Sequence, residues 1–186
     1  MTVLEAVTAR RSVPKLKPDP IPREILEQML EAAVWAPNHR LTEPWRFYVL
    51  MGDGKRRFAE IRRRVRAQAF PDPQAPEAAR ALERLYATTM ATPAIIAVTC
   101  QVAADEVQRE EDLCATFMGI QNMLLAATSL GVGTYLRTGE ILRDPELRAW
   151  LGIEDDRRIV ATIYVGFPEE VPQKRRTPAS ERTVWL

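Results

Sequence analysis

Few side chains in this sequence are equipped for covalent or metal chemistry, and those few stand apart. His39 is the single histidine, and no cysteine or acidic cluster has ligand spacing around it, so no metal site is expected. Cys100 and Cys114 both fall in apolar runs, AIIAVTC and LCATFMGI, and read as buried reduced thiols rather than a redox pair. Neither a nucleophile elbow nor a Walker loop occurs. Gly131-Val132-Gly133 superficially suggests a dinucleotide loop. It lacks the third glycine and follows a helical pattern instead of a strand, so a helix cap and turn is the better account.

What the chain does offer is cationic. Arg10-Arg11-Ser12 sets two guanidinium groups and a hydroxyl just beyond a helix end. That set can hold a dianionic phosphate through bidentate, charge-assisted hydrogen bonds, or it can serve as the positive partner of the helix C-terminus. Lys174-Arg175-Arg176 forms a second group in a polar tail, where contact with solvent is the default. The densest run is KRRFAEIRRRVRAQ, with Lys55, Arg56, Arg57, Arg62, Arg63, Arg64 and Arg66. One reading is a nucleic-acid-binding module that uses the helix over residues 55–66. Phe58, Ile61 and Val65 make only a narrow apolar stripe, however, and the remaining charges are what a solvated helix face needs. No aromatic interleaving or reader motif accompanies them, so a nucleic-acid partner is not expected.

The elements that must position these residues follow from composition and pattern. The chain has 186 residues, 26 basic against 25 acidic, and is 46% hydrophobic and 27% charged. This is the profile of a globular domain, and the length favours one domain over residues 1–186. Near-neutral charge argues against coating nucleic acid or an anionic membrane. The apolar stretch Leu113 to Leu130 contains Thr116, Gln121, Asn122, Thr128 and Ser129, so it reads as a core helix rather than a membrane span. The N-terminal apolar part is too short for a signal peptide, and a cytoplasmic setting is expected.

Thr2 and Glu5 have capping-box spacing for a first helix to about Arg10. Prolines 14, 18, 20 and 22 hold an extended connection, with Pro22 suited to the first turn of a helix that Pro37 ends. Strands are expected at RFYVLM, AIIAVTC, VGTYLRT and RIVATIYVGF, and a turn at Gly52-Asp53-Gly54. Helices are expected over residues 55–68, about 77–90, about 107–130 with Gly131 as its left-handed cap, and from Asp144-Pro145 through Leu151. The strands do not alternate regularly with helices, which favours an α+β arrangement over a doubly wound parallel sheet.

The segment APNHRLTEPWRFYVL, together with ARRSVPKLKPDPIPREILEQMLEAAVWAPN before it, resembles the nitroreductase family of flavoproteins. The shared pattern is an RRS triplet, a proline-rich connection, a helix ending in an AP pair, and a PW pair leading into a strand. The long apolar helix, GVGTYLRTG and IYVGFPEEVPQKRRTP follow in the family's order, so the resemblance covers essentially the whole chain. The short length and the APNH…PW form are most similar to the compact, YdjA-like branch.

The resemblance implies a central, mostly antiparallel sheet flanked by helices, in an intertwined homodimer with two FMN sites at the interface. Arg10, Arg11 and Ser12 would hold the phosphate and the polar flavin edge, and Lys174 and Arg176 would add charge at the phosphate. Trp35 and His39 would reach the flavin of a second copy. Leu136, Arg137 and Thr138 match the strand end beside the isoalloxazine, with Thr138 or Gly139 giving a backbone donor near its N5. Ala126, Ala127, Thr128, Ser129, Leu130 and Gly131 would approach the nicotinamide cofactor. Leu41 and Glu43 replace the Asn and Gln that family members often carry before PW. Leu41 removes a polar contact, and an ionised Glu43 cannot donate to a flavin carbonyl. The implied activity is FMN-dependent reduction of nitroaromatics, quinones or related small acceptors by NAD(P)H, with no dedicated nucleophile or general base. Reductive dehalogenation or flavin fragmentation on the same scaffold is the alternative chemistry.

Overall fold

The computed structural model describes residues 1–186. Capping chemistry opens the chain as the spacing predicts. Thr2 Oγ1 accepts from Glu5 N–H and Glu5 Oε2 accepts from Thr2 N–H, which starts helix α1 (Val3–Ala9). Helix α2 (Arg23–Val34) buries Leu26, Met29 and Ala33, with Pro22 just outside the first turn as its N-cap. Strand β1 (Trp45–Leu50) then leads directly into helix α3 (Gly52–Ala67). The turn expected at Gly52-Asp53-Gly54 is therefore the first turn of that helix. Gly54 and Lys55 N–H both donate to Met51 O, and Asp53 sits where the positive end of the helix favours an acid.

Helix α4 (Pro76–Ala91) and strand β2 (Ala94–Gln101) follow. Helix α5 (Glu106–Ser129) is capped by Asp105, whose carboxylate accepts from Gln108 N–H at 2.8 Å. Strand β3 (Gly133–Arg137), helix α6 (Pro145–Trp150) and strand β4 (Arg157–Gly166) complete the regular elements. Asp144 caps α6 through Leu147 N–H, with Pro145 at its first position. Gly131, at φ +74°, ends α5 in the left-handed region, and Val132 N–H turns back to Ala127 O at 2.8 Å.

The four strands lie in the order β1-β2-β4-β3 and every neighbouring pair is antiparallel, which confirms an α+β sheet fold. Helices cover both faces, so the two central strands are apolar almost throughout. Ile96, Val98, Ile163 and Val165 pack toward α2 and α5, while Ile95, Ile159 and Tyr164 meet Phe58, Ile61 and Val65 of α3 and Leu147 of α6. None of the helices is long and apolar enough to cross a membrane.

Two burial expectations are corrected. Cys100 is buried, but Cys114 is exposed. α5 carries apolar residues on all sides, and its inward stripe runs through Asp112, Ala115, Thr116, Gly119, Ile120, Met123 and Ala127, which leaves Cys114, Phe117 and Met118 on the opposite face. Arg62, expected on the solvated face of α3, is only 8% exposed. Its guanidinium donates to Thr89 Oγ1 at 2.5 Å and lies 5.4 Å from the ring centroid of Tyr164, and burial pushes its pKa down.

Candidate functional site

The sequence-remote cations meet at the N-terminal end of the edge strand β3. Ser12 forms a parallel bridge with Thr134, and Val13 N–H donates to Thr134 O at 2.8 Å, so the Arg10–Ser12 triplet is fixed to the sheet by its backbone. The chain leaving β4 returns to the same place. Lys17 N–H donates to Phe167 O at 2.8 Å and Glu169 N–H to Lys15 O at 3.1 Å. Arg176 thereby comes close enough to affect Arg10. Burial, then the charges of Arg176 and Arg11, hold the Arg10 guanidinium below its ordinary pKa.

Arg11 takes up the helix-terminus role that its position allows. Its Nη1 donates to Thr8 O at 2.6 Å and Arg10 O at 2.8 Å, closing the C-terminus of α1, while its Nε is buried with no partner at all. No carboxylate forms an ion pair with Arg10, Arg11, Lys174 or Arg176. Like charges gathered around an orphaned buried donor make a cradle for an anion.

At the other end of β3, roughly 13 Å away at the usual strand rise, the chain turns through Thr138 and Gly139. Gly139 has φ +148° and ψ −172°, a conformation essentially restricted to glycine, and it starts a single 3-10 turn over Glu140–Arg143. The N–H groups of Thr138 and Gly139 donate to no protein acceptor. Both residues border a cavity of about 660 Å³ whose apolar wall includes Leu113 and Phe117 of α5. Leu136 packs into the core beneath α2 and α5. Arg137 is turned to the opposite face, its guanidinium 5.4 Å from the ring centroids of both Tyr135 and Tyr164.

Trp35 and His39 lie outside both ends. Trp35 is 78% exposed at the end of α2, its Nε1–H donating to Glu31 at 2.9 Å. His39 is also exposed and stands 2.7 Å through Nδ1 from Glu111 Oε2. An ionised carboxylate can only accept, so Nδ1 is the donor in this contact. His39 begins a 3-10 turn in which Arg40 and Leu41, and then Glu43, have positive φ of 57°, 53° and 44°. Non-glycine residues in that region are strained, and cross-links hold them there. Thr42 Oγ1 donates to the buried carboxylate of Asp112 at 2.6 Å, and Glu43 N–H donates to Asn38 Oδ1 at 3.0 Å. Neither Trp35 nor His39 hydrogen-bonds to the cradle or to the Thr138–Gly139 turn.

Ala126–Gly131 forms the last turn and cap of α5, at the cradle end of β3 rather than beside Thr138 and Gly139. The carbonyls of Ala126, Ala127 and Thr128 all accept capping bonds. Arg143 and Arg158, which line the cavity with Phe117, were not legible as site residues. Their convergence depends on the fold of the turn after β3 and on the first residues of β4.

The family model described as "Nitroreductase family" matches residues 7–167. The chain belongs to this family. "Putative NAD(P)H nitroreductase YfhC" of Bacillus subtilis is 36% identical over 180 residues, covering 96% of this chain and 91% of that protein. The solved nitroreductase-like family protein from Bacillus cereus superposes with a TM-score of 0.86 at 27% identity, over 100% of this chain and 96% of that one. A Desulfovibrio desulfuricans structure, described as a "putative nitroreductase in complex with FMN", superposes with a TM-score of 0.76 at 26% identity, over 100% of this chain and 97% of its own.

Proposed function

We propose that this nitroreductase-family chain is an FMN-dependent oxidoreductase that works as a homodimer and passes two electrons from NAD(P)H to nitroaromatic, quinone or related small acceptors. The observation that carries the reading is the cradle of Arg10, Arg11 and Arg176, crowded by like charge, ion-paired to no carboxylate, and holding a buried unpartnered Nε. A phosphate dianion supplies what that cluster lacks. Lys174 in the same tail and the exposed Ser12 hydroxyl complete the donor set. Bound FMN would supply reversible hydride chemistry, which no side chain of this protein offers.

The chain's own contributions are binding and orientation. Anchoring at one end of β3 and free N–H groups at the other define a line along the edge strand, with Thr138 and Gly139 as donors to the ring. Trp35 and His39 would act across the interface on the site of a second copy. Their solvent exposure supports that assignment, as does the exposure of Val3, Leu4 and Val7 on α1 and of Met118 on α5. Leu41 and Glu43 sit on the same strained loop and would shape the site without donating hydrogen bonds to it.

The test is an absorption spectrum of the purified protein followed by anaerobic titration with NADH and NADPH. A flavin spectrum that bleaches with one of them and returns on adding a nitro compound is the expected result. Protein that carries no flavin and binds no added FMN contradicts the proposal.

A further inference from the structure

The cavity beside Thr138 and Gly139 has a polar character that phosphate anchoring does not explain. Three arginines line it, against one acid, Glu140. Arg148 is fully occupied, since its Nη groups donate to the carbonyls of Arg157 and Glu154 and reach Asp155. Arg143 and Arg158 are different. Neither takes part in an ion pair or a side-chain hydrogen bond, although eight other arginines of this chain are ion-paired. They come from separate elements, the turn after β3 and the start of β4, and converge on a space walled on another side by Leu113 and Phe117.

Apolar side chains and two unpaired guanidinium groups lining one cavity suit an aromatic molecule that carries an anionic group. The geometry points to Arg143 and Arg158 as specificity-determining residues that select a ligand bearing an anion beside a flat ring. That ligand is either an aromatic acceptor with a carboxylate or the phosphate-bearing part of the nicotinamide cofactor. The inference rests on the proposal that the flavin ring lies beside Thr138 and Gly139.

The test starts by measuring FMN content from the absorption spectrum, which separates failure of the flavin proposal from failure of this one. FMN-loaded protein is then titrated calorimetrically with benzoate and with benzamide, an unreactive pair that differs mainly in charge. Benzoate is expected to bind about tenfold more tightly. The exposed double variant Arg143→Gln, Arg158→Gln is expected to lose that preference while keeping its FMN content and its affinity for benzamide. Steady-state KM ratios for 4-nitrobenzoate against 4-nitrobenzamide, and for NADPH against NADH, then separate the sources. Loss of the first ratio in the double variant assigns the anion to the acceptor, and loss of the second assigns it to the nucleotide. Equal affinity for benzoate and benzamide in the parent protein, together with both KM ratios unchanged in the double variant, would overturn the inference.

Discussion

Helix α3 and the Arg10 cradle are the two conspicuous basic regions, and the structure treats them in opposite ways. On α3 four of the cations are neutralised by acids nearby in space. Arg56 pairs with Asp53, Arg57 with Glu60 and Glu146, Arg63 with Glu83, and Arg64 with Asp144 and Glu146. Its buried Arg62 is held by Thr89 and the face of Tyr164. The cradle has fewer charges, yet Arg176 and Arg11 act on Arg10 and none of the three forms an ion pair with an acid. A dense basic run therefore serves to dock α3 against α4 and α6, while a sparse one is left with unmet electrostatic demand. Binding capacity follows unpaired charge rather than charge density.

The largest way to break this contrast is at the cradle. Arg10→Ala combined with Arg176→Ala removes two charge-assisted bonds, each worth roughly 1.5–3 kcal/mol. FMN affinity is expected to fall by about 100-fold or more in a flavin-fluorescence titration, while the urea unfolding midpoint of the apo-protein changes little. Next comes Asp144→Ala, which takes away the cap of α6 and both carboxylate contacts to Arg64. Urea denaturation should show a loss of about 2 kcal/mol with FMN affinity unchanged, because this charge is structural.

Arg62→Met sharpens the comparison further. Deleting a desolvated cation offsets the lost Thr89 bond and ring contact, so stability is expected to move by no more than about 1.5 kcal/mol in either direction. A far larger loss would mean that Arg62 is not compensated as its surroundings indicate. Arg56→Ala, at an exposed pair, should shift stability by less than about 0.5 kcal/mol and leave FMN affinity within twofold.

Much of the framework was legible in the residues. The Thr2/Glu5 spacing, the Asp144-Pro145 start and Gly131 each impose local hydrogen bonding that survives in any tertiary context, and all three appear as expected. Apolar runs also located the central strands. Local pattern failed where a distant element decides the outcome. Cys114 lies in an apolar stretch, and only the packing of α2 and the sheet on α5 determines which side of that helix is covered. The pairing of α3 with Glu146 and Asp144 spans eighty residues or more, so the run looked like a free basic face. Positive φ at Arg40, Leu41 and Glu43 has no sequence signal either, since it is imposed by bonds such as that from Thr42 to Asp112. At the proposed site the Arg10–Ser12 half of the cradle could be read from its residue types. The Arg143 and Arg158 half of the cavity could not, because it exists only once β3 and β4 are paired.

The central claim is that the unpaired cations at the head of β3 bind the phosphate of FMN. It is tested most directly by titrating the apo-protein with FMN and with riboflavin, which carries the same ring system without the phosphate. FMN is expected to bind at least about 100-fold more tightly, with an advantage that shrinks as salt rises and nearly vanishes in the Arg10→Ala, Arg176→Ala variant. Equal affinity for the two flavins in the parent protein would contradict the account.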